Sequence, residues 1–183
     1  MNDRLTKTDW IRHGLRRLAQ DGPEALKVVP LANALNVSRG SFYWHFRDLA
    51  DFHAEVLGHW RLRSTERIIR DLETHPPGAR RLHDLMRRGF DVTSGGGPQP
   101  LERAIRSWAA RDESVARVVA EVDAQRIGYL ADQLVASGVS ASDARERALF
   151  LYWAYLGQSL VMDPDSAAMS VEGLDRIATL LER

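Results

Sequence analysis

The ten residues Val37-Ser38-Arg39-Gly40-Ser41-Phe42-Tyr43-Trp44-His45-Phe46 constrain this chain more than any other stretch. Val37, Phe42 and Phe46 stand five and four residues apart, so they share one face of a short helix. The opposite face carries Arg39, Gly40, Ser41, Tyr43, Trp44 and His45. Two readings fit a turn that is apolar behind and rich in donors and flat rings in front. It is a surface helix with an aromatic collar, or a helix suited to the major groove and phosphate edges of DNA.

The residues upstream favour the second reading. Val28 to Leu35 has the spacing of another short helix, with Val28, Leu31, Ala32 and Leu35 on one side. Pro30 falls in its first turn, where a missing N–H costs little. Asn36 follows, one of the few residues besides glycine that accept a left-handed conformation. Ser38 is then expected to cap the next helix through its hydroxyl. Helix, left-handed residue, cap and helix make a helix-turn-helix, whose second helix enters the major groove. A third helix leads in over Lys7 to Gln20, with Trp10, Ile11, Leu15 and Leu18 at helical spacing and Asp21-Gly22-Pro23 as its stop. The first 50 residues hold eight basic and five acidic side chains, a net of +3. The whole chain balances 25 basic against 25 acidic side chains, so the remainder nets −3. The attraction for phosphate sits at one end.

The run Gly22…Leu26…Leu31-Ala32…Asn36-Val37-Ser38-Arg39-Gly40-Ser41-Phe42-Tyr43-Trp44-His45-Phe46 resembles the DNA-binding head of tetracycline-repressor-like (TetR-family) transcriptional regulators. The likeness by motif covers roughly residues 5 to 55, and Tyr43-Trp44-His45 with Phe46 is its most specific part. It implies a homodimer, a palindromic operator in double-stranded DNA and a C-terminal domain that senses an unidentified small molecule. Three residues depart from the family's pattern. Lys27 stands where a capping Thr or Ser is usual, Val29 where a polar residue often touches DNA, and Leu49 where a Lys is common. Arg47 is the nearest replacement for that Lys.

Beyond the motif the chain reads as all-α, about nine helices in total. The 1–50 helix-turn-helix head, with its motif at about 28–46, is followed by a helical effector-binding and dimerisation domain over 51–183. At 44% apolar, 183 residues suffice for one or two small domains with a core. A long helix is expected over 48–73, then helices over 79–93, 101–108, 114–137 and 142–162, and a last one reaching Glu182. The stretch 94–100 reads as a mobile flap, and Asp163-Pro164-Asp165 as a turn. The uncharged run from Ala148 to Met162 is too short for a bilayer and apolar on nearly every side. A body this small cannot bury such a helix alone, so it is read as shared with a partner chain. Leu149, Tyr152, Leu156, Leu174, Ile177, Ala178 and Leu181 are its candidate dimer contacts, two hairpins making a four-helix bundle across a twofold axis.

Much chemistry is excluded. The chain has no Cys, hence no disulfide, thiolate metal site or Cys nucleophile. Its six His residues form no i, i+4 pair, no carboxylate pair stands isolated in an apolar setting, and no Ser has a nucleophile elbow. Neither an enzyme activity, a metal nor a cofactor is expected. The polar N-terminus reads as lacking a signal peptide, and a cytoplasmic protein with no membrane association follows by default.

The expected function is a ligand-responsive, sequence-specific transcription regulator, a repressor released by a small molecule. The alternative is a small-molecule-binding protein that kept the fold but lost operator recognition, to which Val29 and Leu49 give weight. Ser38, Arg39, Gly40 and Ser41 would meet bases or allow close approach. Tyr43, Trp44 and His45 would hold phosphates and sugars, with Lys7, Lys27 and Arg47 as outer phosphate contacts. Trp60, Met86, Phe90, Trp108, Val122, Arg126, Tyr129 and Trp153 are the candidate effector pocket, and each aromatic among them could equally be plain core. Arg126 would bind a carboxylate, or pair with Asp123 or Glu121. A helix from Asp48 without a flexible linker would let the ligand shift the population of head spacings.

Overall fold

The computed structural model describes residues 5–90, 100–158 and 169–182, and within them every regular element is helical. The described residues fall into two compact units. The first takes in those up to Ser64 together with Pro100–Val119, and the second those from Thr65 to Phe90 and from Ala120 onward. The first unit therefore extends beyond residue 50, and it recruits a helix from much later in the chain.

In the first unit, α1 (Lys7–Asp21) opens on a capping box: Thr6 Oγ1 accepts the Asp9 N–H, and the Asp9 carboxylate accepts the Thr6 N–H. It closes at Gly22, whose φ of 79° only glycine adopts readily. A 3₁₀ turn (Pro23–Leu26) leads to α2 (Val28–Ala34), then α3 (Arg39–Tyr43) and α4 (Leu49–Arg61), which Asp48 caps by accepting the Asp51 N–H. The later helix is α7 (Pro100–Ala109), which packs on α1. Two contacts account for its place there. Trp108 meets the His53 ring edge-on at 4.8 Å, and the Trp60 indole N–H donates to Glu102 at 3.2 Å. Glu102 is a buried acid, offset by the guanidinium of Arg106 one turn on, 2.9 Å away.

The single helix expected over 48–73 is broken. Leu62–Glu66 winds as a π-helix between α4 and α5 (Arg67–Leu72). Ser64 Oγ donates to the Trp60 carbonyl at 2.7 Å, the kind of side-chain intrusion that bends an i→i−4 ladder.

The second unit holds α5, α6 (Ala79–Phe90), most of α8 (Glu113–Ala136), α9 (Ala141–Gly157) and α10 (Val171–Leu181). Its core joins Leu82 and Met86 of α6, Leu130 and Leu134 of α8, Ala144, Ala148, Leu151 and Tyr152 of α9, and Leu174 and Ala178 of α10. Arg87 clamps Asp175 of α10 with contacts of 3.2 and 2.6 Å. The flap expected at 94–100, but for Pro100, and the turn expected at 163–165 lie outside the described residues.

Gly14 shows how tightly the first core is packed. A Cβ there would lie 2.6 Å from Phe52 Cζ, a ring itself fully buried. Gly58, on the exposed side of α4, has nothing within 4 Å of the same position. Gly14→Ala is therefore expected to lower stability by about 1–3 kcal/mol through overpacking. Gly58→Ala should raise it by up to about 1 kcal/mol through helix propensity alone. Denaturant midpoints of the two variants check the contrast, and a stabilised Gly14→Ala chain would show that the ring can move aside.

Candidate nucleic-acid interface

The α2–α3 pair is held from behind by aromatic rings. Phe42 is fully buried, with the Trp10 ring 5.5 Å away edge-on and the Phe46 and Phe52 rings at 5.0 and 5.5 Å. Leu31 and Ala32 of α2 are buried beside them, and Val28, Leu35 and Val37 are half-buried. Between the helices Asn36 adopts φ 53°, the left-handed residue of the turn. Ser38 occupies the N-cap position of α3, but its hydroxyl makes no capping bond; the Ser38 carbonyl takes the Ser41 N–H instead. The expected hydroxyl cap is absent. Lys27 at the N-cap of α2 also provides no side-chain cap, as a group without an acceptor must.

The front of the motif is open. Arg39, Gly40, Tyr43 and Trp44 are exposed, Tyr43 by 58% and Trp44 by 71%, while Ser41 is half-buried. Val29 and Pro30 are exposed on α2. The cations differ in their commitments. Lys7 pairs with Glu55 at 2.5 Å and sits over the Phe46 ring, Lys27 pairs with Glu24 at 2.6 Å, and Arg47 pairs with Asp51 at 3.1 Å. That last pair holds the Asp51 carboxyl below its ordinary value. Among the described residues Arg39 has no acidic partner. His45 is half-buried, and its Nε2–H donates to the Leu5 carbonyl at 2.9 Å, tying the chain before α1 to the end of α3. One ring nitrogen of His45 is thus already used inside the head.

This arrangement has relatives. The profile of the bacterial regulatory proteins of the tetR family matches residues 11–56, the span from α1 through the motif into α4. The head is a tetR-family head. A stretch of 59 residues, 32% of the chain, is 37% identical to the HTH-type transcriptional regulator AcrR of Shigella flexneri and spans 25% of that protein's length. Solved structures share the fold along the chain. One is a protein assigned to the TetR family of transcriptional regulators from Rhodococcus sp., with a TM-score of 0.67, 18% identity and 96% of each chain covered. Another is the transcriptional regulator FadR of Bacillus subtilis in complex with stearoyl-CoA, with a TM-score of 0.64, 13% identity, and 97% of this chain and 96% of that one covered.

Outside the tetR-family head the candidate residues distribute unevenly. Trp60 and Trp108 are core residues of the first unit, in contact with Glu102 and His53. In the second unit Met86 and Val122 are buried, and Phe90 meets Tyr155 at 6.4 Å. Burial holds the Tyr129 hydroxyl above its ordinary pKa, against the opposing pull of Arg81. Arg126 is half-buried and donates to Thr65 Oγ1 at 2.9 Å and to the Tyr152 hydroxyl, which in turn donates to Asp123. Trp153, expected in the pocket, is instead 63% exposed.

The dimer candidates need a similar correction. Tyr152, Leu174 and Ala178 are buried in the unit's own core, and Leu156, Ile177 and Leu181 pack partly buried against it; Leu149 is half-buried. The faces left open carry Phe150 (62% exposed) and Trp153 on α9, and Val171 and Leu180 on α10. On α9 the exposed rings are thus Phe150 and Trp153, whereas Leu149, Tyr152 and Leu156 are buried or half-buried. Adjacent apolar residues on an all-apolar helix give no phase, so the sequence could not say which faced in. Among the described residues no cluster of His, Cys, Asp or Glu is placed to hold a metal, and no helix is long and apolar enough to cross a membrane.

His53 escaped the sequence reading, because an isolated His on a helix gives no signal of its tertiary partner. Its Nε2–H donates to the Leu26 carbonyl at 3.2 Å, just before α2, and its ring faces Trp108 of α7. Burial pushes its pKa below the ordinary 6.5, outweighing the opposing pulls of the Leu26 carbonyl and Asp112. His13 is lowered in the same direction, by burial and then by Arg16 and Arg17. For both groups the unfolded chain takes up its proton first. Their contribution is therefore full above about pH 6.5 and is lost as pH falls through that value toward the folded pKa. Urea midpoints of the full chain are expected to fall with acidification across this window, and His53→Gln should make the fall shallower. An unchanged slope in His53→Gln would assign the effect elsewhere.

Proposed function

We propose that this chain is a sequence-specific DNA-binding regulator of transcription that acts in the cytoplasm as a homodimer on a palindromic operator and is released by a small molecule. The observation that carries the reading is the α2–Asn36–α3 motif. Its inner side is locked by Trp10, Phe42, Phe46 and Phe52, while Arg39, Gly40, Tyr43 and Trp44 stand exposed in front. Arg39 is our candidate for a base contact, since a free guanidinium fork matches guanine O6 and N7. Ser38, Gly40 and Ser41 would line the base edges, Tyr43 and Trp44 would meet phosphates and sugars, and His45, whose Nε2–H goes to the Leu5 carbonyl, would donate to a phosphate only as an imidazolium. Lys7, Lys27 and Arg47 are proposed as outer contacts, each reached only by exchanging a carboxylate partner for a phosphate.

Dimerisation is supported by Phe150, Trp153, Val171 and Leu180, an exposed apolar set of the kind a soluble chain covers with a partner. Ligand response is supported by the half-buried Arg126 network, suited to an anionic head beside the apolar side chains Val122, Met86, Phe90 and Tyr129. The fold relative FadR binds stearoyl-CoA, an apolar chain with an anionic end. Repression would end when ligand favours a state whose two heads no longer match half-sites about 34–36 Å apart. A second reading has its own support: with Lys7, Lys27 and Arg47 each paired, the head has few free cations. That would suit a small-molecule binder that no longer recognises an operator.

Selection of duplexes from a random-sequence pool at two salt concentrations separates the readings. A palindrome retained at the higher salt supports the regulator; sequence-blind binding that washes away supports the alternative. On the selected palindrome, Arg39→Ala should weaken binding by about 1–3 kcal/mol and relax preference at one position per half-site. Uniform weakening across all sequences would instead make Arg39 a phosphate contact. In sedimentation, Phe150→Glu with Trp153→Glu is expected to give a monomer, and a surviving dimer would place the interface elsewhere.

A further inference from the structure

His83 faces a carboxylate at each of its ring nitrogens. It lies on α6, which packs on α10. Its Nδ1–H donates to Asp175 Oδ1 at 3.3 Å, and its Nε2 stands 3.3 Å from Glu182 Oε1. Asp175 is in the second turn of α10 and Glu182 is its C-terminal cap, so the one ring reaches the helix near both ends. The two carboxylates are not equally provided for. Arg87 already clamps Asp175, whereas Glu182 Oε1 is buried and makes no hydrogen bond among the described residues. The other charged groups nearby are committed elsewhere. Arg80 pairs with Asp84 at 3.0 Å, His75 stands 3.7 Å from the same Asp84, Arg147 of α9 donates to the Leu181 carbonyl at 2.6 Å, and Arg176 of α10 is exposed. Among the described residues His83 is thus the basic side chain that meets Glu182. Its ring also borders a hollow in the α6 surface with Arg80, Asp84 and Arg87, which lets it exchange protons without unfolding.

We propose that His83 is a proton-operated clasp: its imidazolium fixes α10 on α6, and loss of one proton releases the C-terminal turn of α10. A neutral imidazole has one N–H and one lone pair, and an ionised carboxylate only accepts. With Nδ1–H given to Asp175, a neutral ring turns the Nε2 lone pair toward Glu182. A buried carboxylate oxygen then stands opposite another acceptor, with nothing to replace the water it has lost. The imidazolium puts an N–H and a positive charge there instead. A ring that must be charged for docking holds its proton more firmly docked than free. The clasp therefore contributes fully below about pH 6.5, the ordinary histidine value, and its contribution is lost as pH rises above it. That sign is opposite to the one expected for His53 and His13, so the clasp is read locally, on α10, and not from unfolding of the whole chain. Val171 and Leu180, exposed on α10, ride on the helix so held.

Hydrogen exchange of the α10 amides in the full-length protein tests the clasp. Glu182→Gln is measured beside wild type at each pH, so that the intrinsic pH dependence of exchange cancels. A side-chain amide can accept from the charged ring and donate to the neutral one, so this variant stays clasped throughout. At about pH 5.5 the two proteins should exchange alike. At about pH 8 wild type should exchange about ten-fold faster, the weight of one bond to a charged group. His83→Gln should keep a constant ratio to Glu182→Gln across the range. A constant ratio of wild type to Glu182→Gln overturns the clasp. So does a ratio that still changes with pH in His83→Gln, which would give the switch to another group such as the His75–Asp84 pair. Should either variant fail to fold, the ring ¹⁵N shifts of wild type decide. Both His83 nitrogens protonated while α10 is protected upholds the clasp, and a neutral His83 ring in that state overturns it.

Discussion

The packing of Trp10, Phe42, Phe46 and Phe52 is the interaction on which the head depends. Helices of seven and five residues, as α2 and α3 are, do not persist in water by themselves. Their position is set by tertiary contact, and Phe42 is the centre of it, with four rings within 5.5 Å. Each such ring contributes about 1.5–3 kcal/mol by burial, and each edge-on pair about 0.5–1.5 kcal/mol more. The cluster closes only because α1 offers Gly14 to the Phe52 ring. The orientation of Arg39, Tyr43 and Trp44 thus follows from residues that never meet solvent.

Electrostatics modulates this frame without building it. Lys27–Glu24 and Arg47–Asp51 are pairs with at least one strongly exposed partner, and water screens such pairs until they contribute little to stability. A phosphate can displace a carboxylate from them at little cost, but the gain is reduced by the pair it breaks. Lys7 is different, because it also covers the Phe46 ring and joins α1 to α4. Its first role is internal. Under the proposed function, sequence discrimination would come more from Arg39 than from the paired cations.

Periodicity made the helices legible: Trp10, Ile11, Leu15 and Leu18 are buried as their spacing requires, and Asn36 takes the left-handed turn. What escaped was everything decided by contact between distant segments. The Trp60 and Trp108 rings look alike on paper whether they line a cavity or fill a core. Only the approach of Glu102 and His53 shows which. Ser38 has the right identity for a cap, yet its hydroxyl makes no capping bond, and side-chain geometry is invisible in a sequence. The π-helical break at Leu62–Glu66 is equally silent, since Ser64 is an ordinary residue until its hydroxyl finds the Trp60 carbonyl.

Residues that break local rules gather where the chain meets something else. Sequences that fold well keep propensity, pattern and packing in agreement, and the exceptions mark function. In the head the exceptions are a glycine inside a five-residue helix, a tryptophan left 71% exposed, and Val29 and Pro30 on the open side of α2. All lie on the two helices of the motif, and none improves the isolated fold. In the second unit the exceptions are Phe150 and Trp153, among the described rings second only to Trp44 in exposure, on a helix whose other side is buried at Leu151 and Tyr152. An exposed aromatic ring orders water that burial would release, so rings left open mark surfaces that a partner can cover. The two sets differ in what surrounds them. Beside the first stand a free guanidinium and a bare glycine, which suit a grooved, charged polymer. In the same unit Val171 and Leu180 of α10 are exposed as well, an apolar composition that suits another protein surface.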